Sequence, residues 1–327
     1  MHVVADTLIL EGQILADGDD GRNYDNYTDG GGGAGGSLWL DINTFEGSET
    51  GYISASGGDG FGSTTSTQAG YGGGGGRIRI DYGSKAFEGN IQTAGGTGYI
   101  PYPSQMGSVY IKSVNNDLWV EGGITTIKST DAYNSIVFKE DGNGELVVKG
   151  STTVVEPIAI PQGATLRLDH AQALENLSFQ PSFFGEIVVD AAGLEVTADL
   201  TVNGTLTVNH SFSVLGHVDL PGYPALITHD QGVTGSSLVI DGDLTIELGA
   251  ALDISGKGLA AGETIDPVTG EVISSHEYSS KKGGSHGGRG GREGPDTYGN
   301  PSAPITLGGG GLNSGYGSGI QVGGFGG

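Results

Sequence analysis

Apolar and polar positions alternate along much of this chain, and the alternation returns at a fixed interval. Short runs of alternating residues occur at Leu146-Val148, Leu166-Leu168, Ile187-Val189, Leu206-Val208, Leu226 and Leu244-Ile246, each about 20 residues after the last. From Leu194 to Val214 nearly every even position is apolar, while the odd ones are mostly Glu, Thr, Asp, Asn or Ser. A period of two predicts strands, and helical spacing fits nowhere as well. Asp141-Gly142, Asn203-Gly204 and Asp241-Gly242 punctuate the runs as turns. Asp199-Leu200-Thr201-Val202 returns as Asp243-Leu244-Thr245-Ile246.

The first third repeats with a longer period, about 40 residues. Gly35-Gly36-Ser37-Leu38-Trp39-Leu40-Asp41 aligns with Gly75-Gly76-Arg77-Ile78-Arg79-Ile80-Asp81, and Phe45-Glu46-Gly47 with Phe87-Glu88-Gly89. A strand and turn recurs three times, at Gly12-Gln13-Ile14, Gly51-Tyr52-Ile53 and Gly89-Asn90-Ile91. Two strand signals in each repeat predict roughly 20 residues for each strand and return. A right-handed parallel β-helix answers this beat, because coils of about 20 residues stack with like positions in register. The competing architecture is an antiparallel sandwich, with strands roughly every 8 to 12 residues joined by hairpins.

Glycine refines the division. The chain has 65 Gly in 327 residues: 27 fall in 1–110, 15 in 111–255 and 23 in 256–327. This predicts a glycine-rich repeat segment (1–110), a β-helix stalk (111–255) and a glycine-rich loop and terminal segment (256–327). The runs Gly30–Gly33, Gly35-Gly36, Gly72–Gly76 and Gly308–Gly311 read either as flexible linker or as tightly packed backbone. Their recurrence at one place in the repeat favours packing. Collagen is excluded, since there is no three-residue glycine period and only 11 Pro.

Thirty-eight acidic against 14 basic residues give a net charge of −24, which argues against nucleic acid as a partner. KKGGSHGGRGGR (281–292) has an RGG-like composition but stands alone on this acidic chain. With no cysteine, disulfides and thiolate chemistry are excluded. No run of about 18 apolar residues predicts membrane insertion.

The stretches GGGGAGGSLWLD, GYISASGGDG, GGGGGRIRIDY and GNIQTAGGTG resemble the glycine-rich modules repeated in very large secreted or surface-anchored bacterial proteins. SLVIDGDLTIELGAALDISGKG, YGNPSAPITLGGGG and GSGIQV resemble the same modules in a following repeat. The resemblance covers about 5–100 and 236–322, and brings no catalytic residues. It implies an extracellular or cell-surface, adhesin-like structural role with homotypic or tandem-module contacts. Glycine-rich ectodomains of some animal receptor kinases share the polyglycine runs but not the Ile-Ser-Ala-Ser-Gly-Gly strand.

Chemistry is sparse in the pattern, and no catalytic residue is assigned. The seven histidines stand in no recognisable motif, neither HExxH nor a GxSxG elbow. Asp219, Asp230, Asp241 and Asp243 would make a glycosidase-like cluster if the coils brought them onto one face, although Asp-Gly turns and solvated positions account for them equally. Asp17, Asp19, Asp20 and Asp25 form a loop of hard oxygens suited to calcium, without the EF-hand spacing. Asp141–Glu145 is a second such loop. The alternative function is a carbohydrate-active β-helix, a glycan-binding module or a depolymerase, using surface aromatics such as Trp39, Tyr102 and Trp119.

Overall fold

The structure, a computed structural model, describes residues 1–25, 28–62, 70–98, 104–128, 130–140, 144–234, 236–260, 263–266, 268–269 and 271–274. Among these the protein is all-β with no helix, and most strand pairs are parallel. Parallel pairing between strands a winding apart is consistent with a β-helix-like arrangement and is incompatible with a hairpin-built sandwich. The chain divides into two compact units, Met1–Ile187 and Val188–Gly327.

In the first unit one parallel sheet runs through His2–Ile9, Ser37–Gly47, Arg77–Phe87, Ser108–Ser113, Ile124–Lys128, Glu145–Lys149 and Thr165–Leu168, in that order. The offset of the sequence alignment is the register itself: Leu38 pairs with Ile78, Leu40 with Ile80 and Asp41 with Asp81. Inward residues stack as columns. Leu40, Ile80 and Ile111 lie side by side and are wholly buried, each worth about 1.5–3 kcal/mol. The recurring isoleucines also meet, since Gln13–Leu15, Tyr52–Ser54 and Asn90–Gln92 form a parallel sheet in which Ile53 pairs with both Ile14 and Ile91. Phe45 stacks on Phe87 at 4.4 Å between ring centroids.

Each repeat of the first third is therefore one winding, not two. The extra length leaves and re-enters the sheet through glycine. Segments 16–22, 55–61 and 93–98 run out, while 30–36, 70–76 and 104–107 run back. Within a winding the two are antiparallel: Gly30, Gly33 and Gly36 donate to the carbonyls of Arg22, Asp19 and Ala16, and Gly70, Gly73 and Gly76 to those of Phe61, Gly58 and Ala55. Between windings like segments are parallel, with Gly18 and Gly21 donating to Ser56 and Asp59, and Gly57 and Gly60 to Ala94 and Thr97. Donors to one neighbour recur at every third position, the period of a polyproline II helix, which has no internal bonds and so must find partners outside itself.

Glycine is required in this bundle for space. A β-carbon on Gly73 would lie 2.0 Å from the Gly33 carbonyl oxygen, and one on Gly32 would lie 1.9 Å from that of Gly58. Neither residue has a positive φ. From Ser108 to Leu168 the described windings carry no such excursion and shorten to about half their former length, as in the pairing of Ile127 with Val148 and Leu146 with Leu166. Glycine becomes scarce at the same point in the sequence.

In the second unit the windings have three faces. Thr205–Val208, Leu226–Thr228 and Ala251–Leu252 form one, Leu194–Val196, Ser211–Val214 and Ser237–Ile240 another, and Leu200–Val202, Val218–Leu220 and Leu244–Ile246 the third. Leu244-Ile246 is thus not the next rung after Leu226, a role that Ala251–Leu252 takes. The repeated Asp-Leu-Thr-Val and Asp-Leu-Thr-Ile strands share one face, two windings apart, with Val218 paired to both Leu200 and Leu244. A hairpin of Glu263–Ile265 and Val272–Ser274 follows.

Candidate functional site

The proposed calcium loop lies at the start of the glycine bundle, where its carboxylates serve the backbone of the next winding. Asp17 Oδ1 accepts from the Ser56 amide at 2.7 Å and from the Ser54 hydroxyl. Asp20 Oδ1 accepts from the Asp59 amide at 2.8 Å, and Asp59 Oδ1 in turn from the Thr97 amide at 2.6 Å. Asp19 contributes its backbone carbonyl to Gly33. Asp25 falls in the short strand Asn23–Asp25, and its side chain lies outside the described residues. Among the described residues no three His, Asp or Glu side chains converge as a metal cage. Residues 141–143, Tyr102 and the KKGGSHGGRGGR stretch are also outside the described set.

Three of the four middle-zone aspartates come to neighbouring windings of one face, and the fourth lies on another. Asp219 is on Val218–Leu220, Asp230 follows Leu226–Thr228, and Asp241 and Asp243 bracket the turn before Leu244–Ile246. Asp230 belongs instead to a ladder: the buried Asn209 donates from Nδ2 to Asp190 at 2.6 Å and to Asp230 at 2.7 Å, and its Oδ1 accepts from the Asp230 amide. Asp243 pairs with His217 at the surface.

On the outer face of the long sheet, His2, Trp39, Arg79 and Tyr110 occupy one register row across four strands. Trp39 is 40 % exposed, yet both ring faces are covered. His2 stacks on one face at 3.9 Å and the Arg79 guanidinium sits 5.1 Å from the ring centroid. Arg79 is held by Asp81 at 2.7 and 3.0 Å, and Trp39 Nε1 donates to the same carboxylate at 2.9 Å. The Asp81 hydrogen bond raises the Arg79 pKa from an already high value. The row is a stacked ladder, with no open aromatic platform at Trp39. Trp119 is likewise engaged, with the Lys85 ammonium 4.2 Å from its ring.

A different place in the first unit combines a cleft with a buried carboxylate. Asp117–Val120 ends on Glu121-Gly122, and Gly122 takes a φ of +65° with no room for a β-carbon, which would lie 1.7 Å from the Ile91 carbonyl oxygen. Its carbonyl accepts from the Thr93 amide at 2.9 Å, so the turn is clamped to the Asn90–Gln92 strand. This fixes Glu121, 2 % exposed, in the wall of a cleft of about 570 Å³ whose other walls include Tyr52, Asn90, Gln92 and Lys139. Neither carboxylate oxygen of Glu121 has a hydrogen-bond donor among the described residues. Lys139 Nζ is 3.6 Å from Oε2 and donates to the Gly89 carbonyl at 2.6 Å. Burial raises the Glu121 pKa against the opposing pull of Lys139 and Lys85, and burial lowers that of Lys85. Sequence patterns missed Glu121 because a lone carboxylate before Gly-Gly reads as a turn. The signal available was its position directly behind the apolar Leu118-Trp119-Val120.

No helix among the described residues is long and apolar enough to cross a membrane. No protein-family model, curated protein or solved structure matches the chain.

Proposed function

We propose that this chain is a non-catalytic structural or adhesive segment of an extracellular surface protein, built as a right-handed parallel β-helix that stacks on further copies of itself or on neighbouring modules. One observation carries the reading. The apolar column of the first unit is uncovered at the strand His2–Ile9, where Val3, Ala5 and Leu8 pair with the buried Leu40, Ile42 and Phe45 but are themselves only partly buried. Another winding laid on that strand would continue both the backbone ladder and the column, and unpaired strand edges recruit such partners. The in-register repeats and the self-satisfied glycine bundle support a role in which regular stacking is the function.

Sedimentation at rising concentration tests it. The chain should self-associate, and Ala5→Asp, which puts a charge on the open layer, should keep it monomeric. A parent chain that stays strictly monomeric at high concentration, with His2–Ile9 ordered, removes the stacking on which the proposal rests.

A further inference from the structure

The second unit ends on an open apolar layer. Val218, Leu220 and Ile227 are buried, yet the residues stacked on them in the last winding, Leu244, Ile246 and Leu252, are 42, 44 and 49 % exposed. Leu244–Ile246 is also the last strand of its sheet among the described residues, and only one of its edges is used. The Val218 amide donates to the Asp243 carbonyl and the Glu247 amide to the Leu220 carbonyl. By the alternation of a parallel ladder, the amides and carbonyls of Leu244 and Ile246 therefore point to the other edge. An open strand edge and an exposed apolar pair thus face the same way, and one more strand with apolar residues two apart would satisfy both.

The chain carries such a segment. Beyond Ser274, outside the described residues, the only Ile, Leu or Val residues are Ile305, Leu307, Leu312, Ile320 and Val322. Two pairs have strand spacing, and Ile305-Thr306-Leu307 also repeats the apolar-Thr-apolar pattern of Leu200-Thr201-Val202 and Leu244-Thr245-Ile246, which share this face. Pro304 suits the register, because it takes the place of Asp243, whose carbonyl serves the preceding winding, and a proline keeps its carbonyl. The 30 residues 275–304 span up to about 100 Å when extended, so reach is no obstacle. Lys281, Lys282, Arg289 and Arg292 in that connection are opposite in charge to the exposed Asp241, Asp243, Glu247 and Asp253 of the last winding. A second copy's His2–Ile9 is a poorer match, since an eight-residue strand overruns a three-residue face.

We propose that residues 305–307 of the same chain lie parallel on Leu244–Ile246, with Ile305 beside Leu244 and Leu307 beside Ile246, and close this end of the second unit. Stacking through His2–Ile9 belongs to the first unit, so the two readings fail separately.

The chain has no cysteine, so a designed pair of thiols tests the register directly. Thr245→Cys with Thr306→Cys puts two outward thiols on α-carbons about 4.8 Å apart, within disulfide reach. Thr245→Cys with Gln321→Cys is the comparison. If the tail were free, these loops of about 60 and 75 residues would close at rates within about 1.5-fold of each other. Under mild oxidation of the full chain, the Thr306 pair should form an intrachain disulfide at least about fivefold faster than the Gln321 pair, at a rate independent of protein concentration. Three results overturn the proposal: a smaller difference, a faster Gln321 pair, or disulfides only between chains, which would give the face to a second copy. Hydrogen exchange provides a check without new thiols. Ile305→Asp should speed exchange of the Leu244 and Ile246 amides about tenfold or more and leave His2–Ile9 unchanged, and unaltered exchange at Leu244 and Ile246 also overturns the proposal.

Discussion

Gly74 and Gly75 are adjacent in one polyglycine run, and alanine should act on them in opposite ways. A β-carbon on Gly75 would lie 2.0 Å from the Thr93 carbonyl oxygen and 2.4 Å from the Gly107 nitrogen, whereas one on Gly74 meets nothing within 4 Å. Ordinary contact begins at 3.4 Å. Accommodating Gly75→Ala therefore requires the segments to part by well over an ångström, which a close-packed interior resists. That movement stretches the bonds from Gly107 to Thr93, 2.6 Å, and from Gly75 to Gln105, 3.0 Å. Two such bonds contribute about 0.5–1.5 kcal/mol each, and overpacking adds about 1–3 kcal/mol. The expected loss is about 2–6 kcal/mol, a fall in thermal midpoint on the order of 10 °C for a unit of this size. Gly75→Val should lose more. Gly74→Ala should be neutral or stabilising by about 0.4–1 kcal/mol, because it restricts the unfolded chain at no native cost. Thermal unfolding by circular dichroism reads both variants. Equal midpoints for Gly74→Ala and Gly75→Ala would refute the ordered bundle, since a linker treats adjacent glycines alike.

Three further outcomes follow from the same geometry. Phe45→Ala, which empties a wholly buried site stacked on Phe87, should cost about 3–5 kcal/mol in chemical denaturation, and a loss under about 1 kcal/mol would contradict the packing. Asp59→Ala removes the acceptor of the Thr97 amide while leaving the donor to Asp20, and should cost about 1 kcal/mol, partly restored in Asp59→Asn; an alanine variant as stable as the parent would show that this rung is idle. Burial raises the folded pKa of Glu121 above the ordinary 4.5, so its contribution is fully present below that value and is lost as pH rises through the folded pKa. The stability of the parent relative to Glu121→Gln should therefore decline with rising pH above 4.5, and a difference that is flat or grows with pH would reverse the assignment.

Strand content and register were legible in the sequence because both follow from local periodicity. Alternation fixes which side chains face inward, and the offset between Gly35-Gly36-Ser37-Leu38 and Gly75-Gly76-Arg77-Ile78 is the ladder offset, since identical windings must stack like on like. The length of a winding was not legible. Two strand signals per repeat suggested two windings, and only the tertiary structure shows that the glycine segments leave the sheet and bond to one another at every third position. Sequence could mark Gly75 as unusual but could not separate it from Gly74, because the distinction depends on which neighbouring segment faces each α-carbon. The acidic loop at Asp17–Asp25 likewise showed its oxygens without showing that those of Asp17 and Asp20 take backbone amides from the next winding. Glu121 was invisible for the same reason. A carboxylate's desolvation and its missing donors are properties of what packs around it, and those neighbours, Asn90, Gly122 and Lys139 among them, come together only when three windings are stacked.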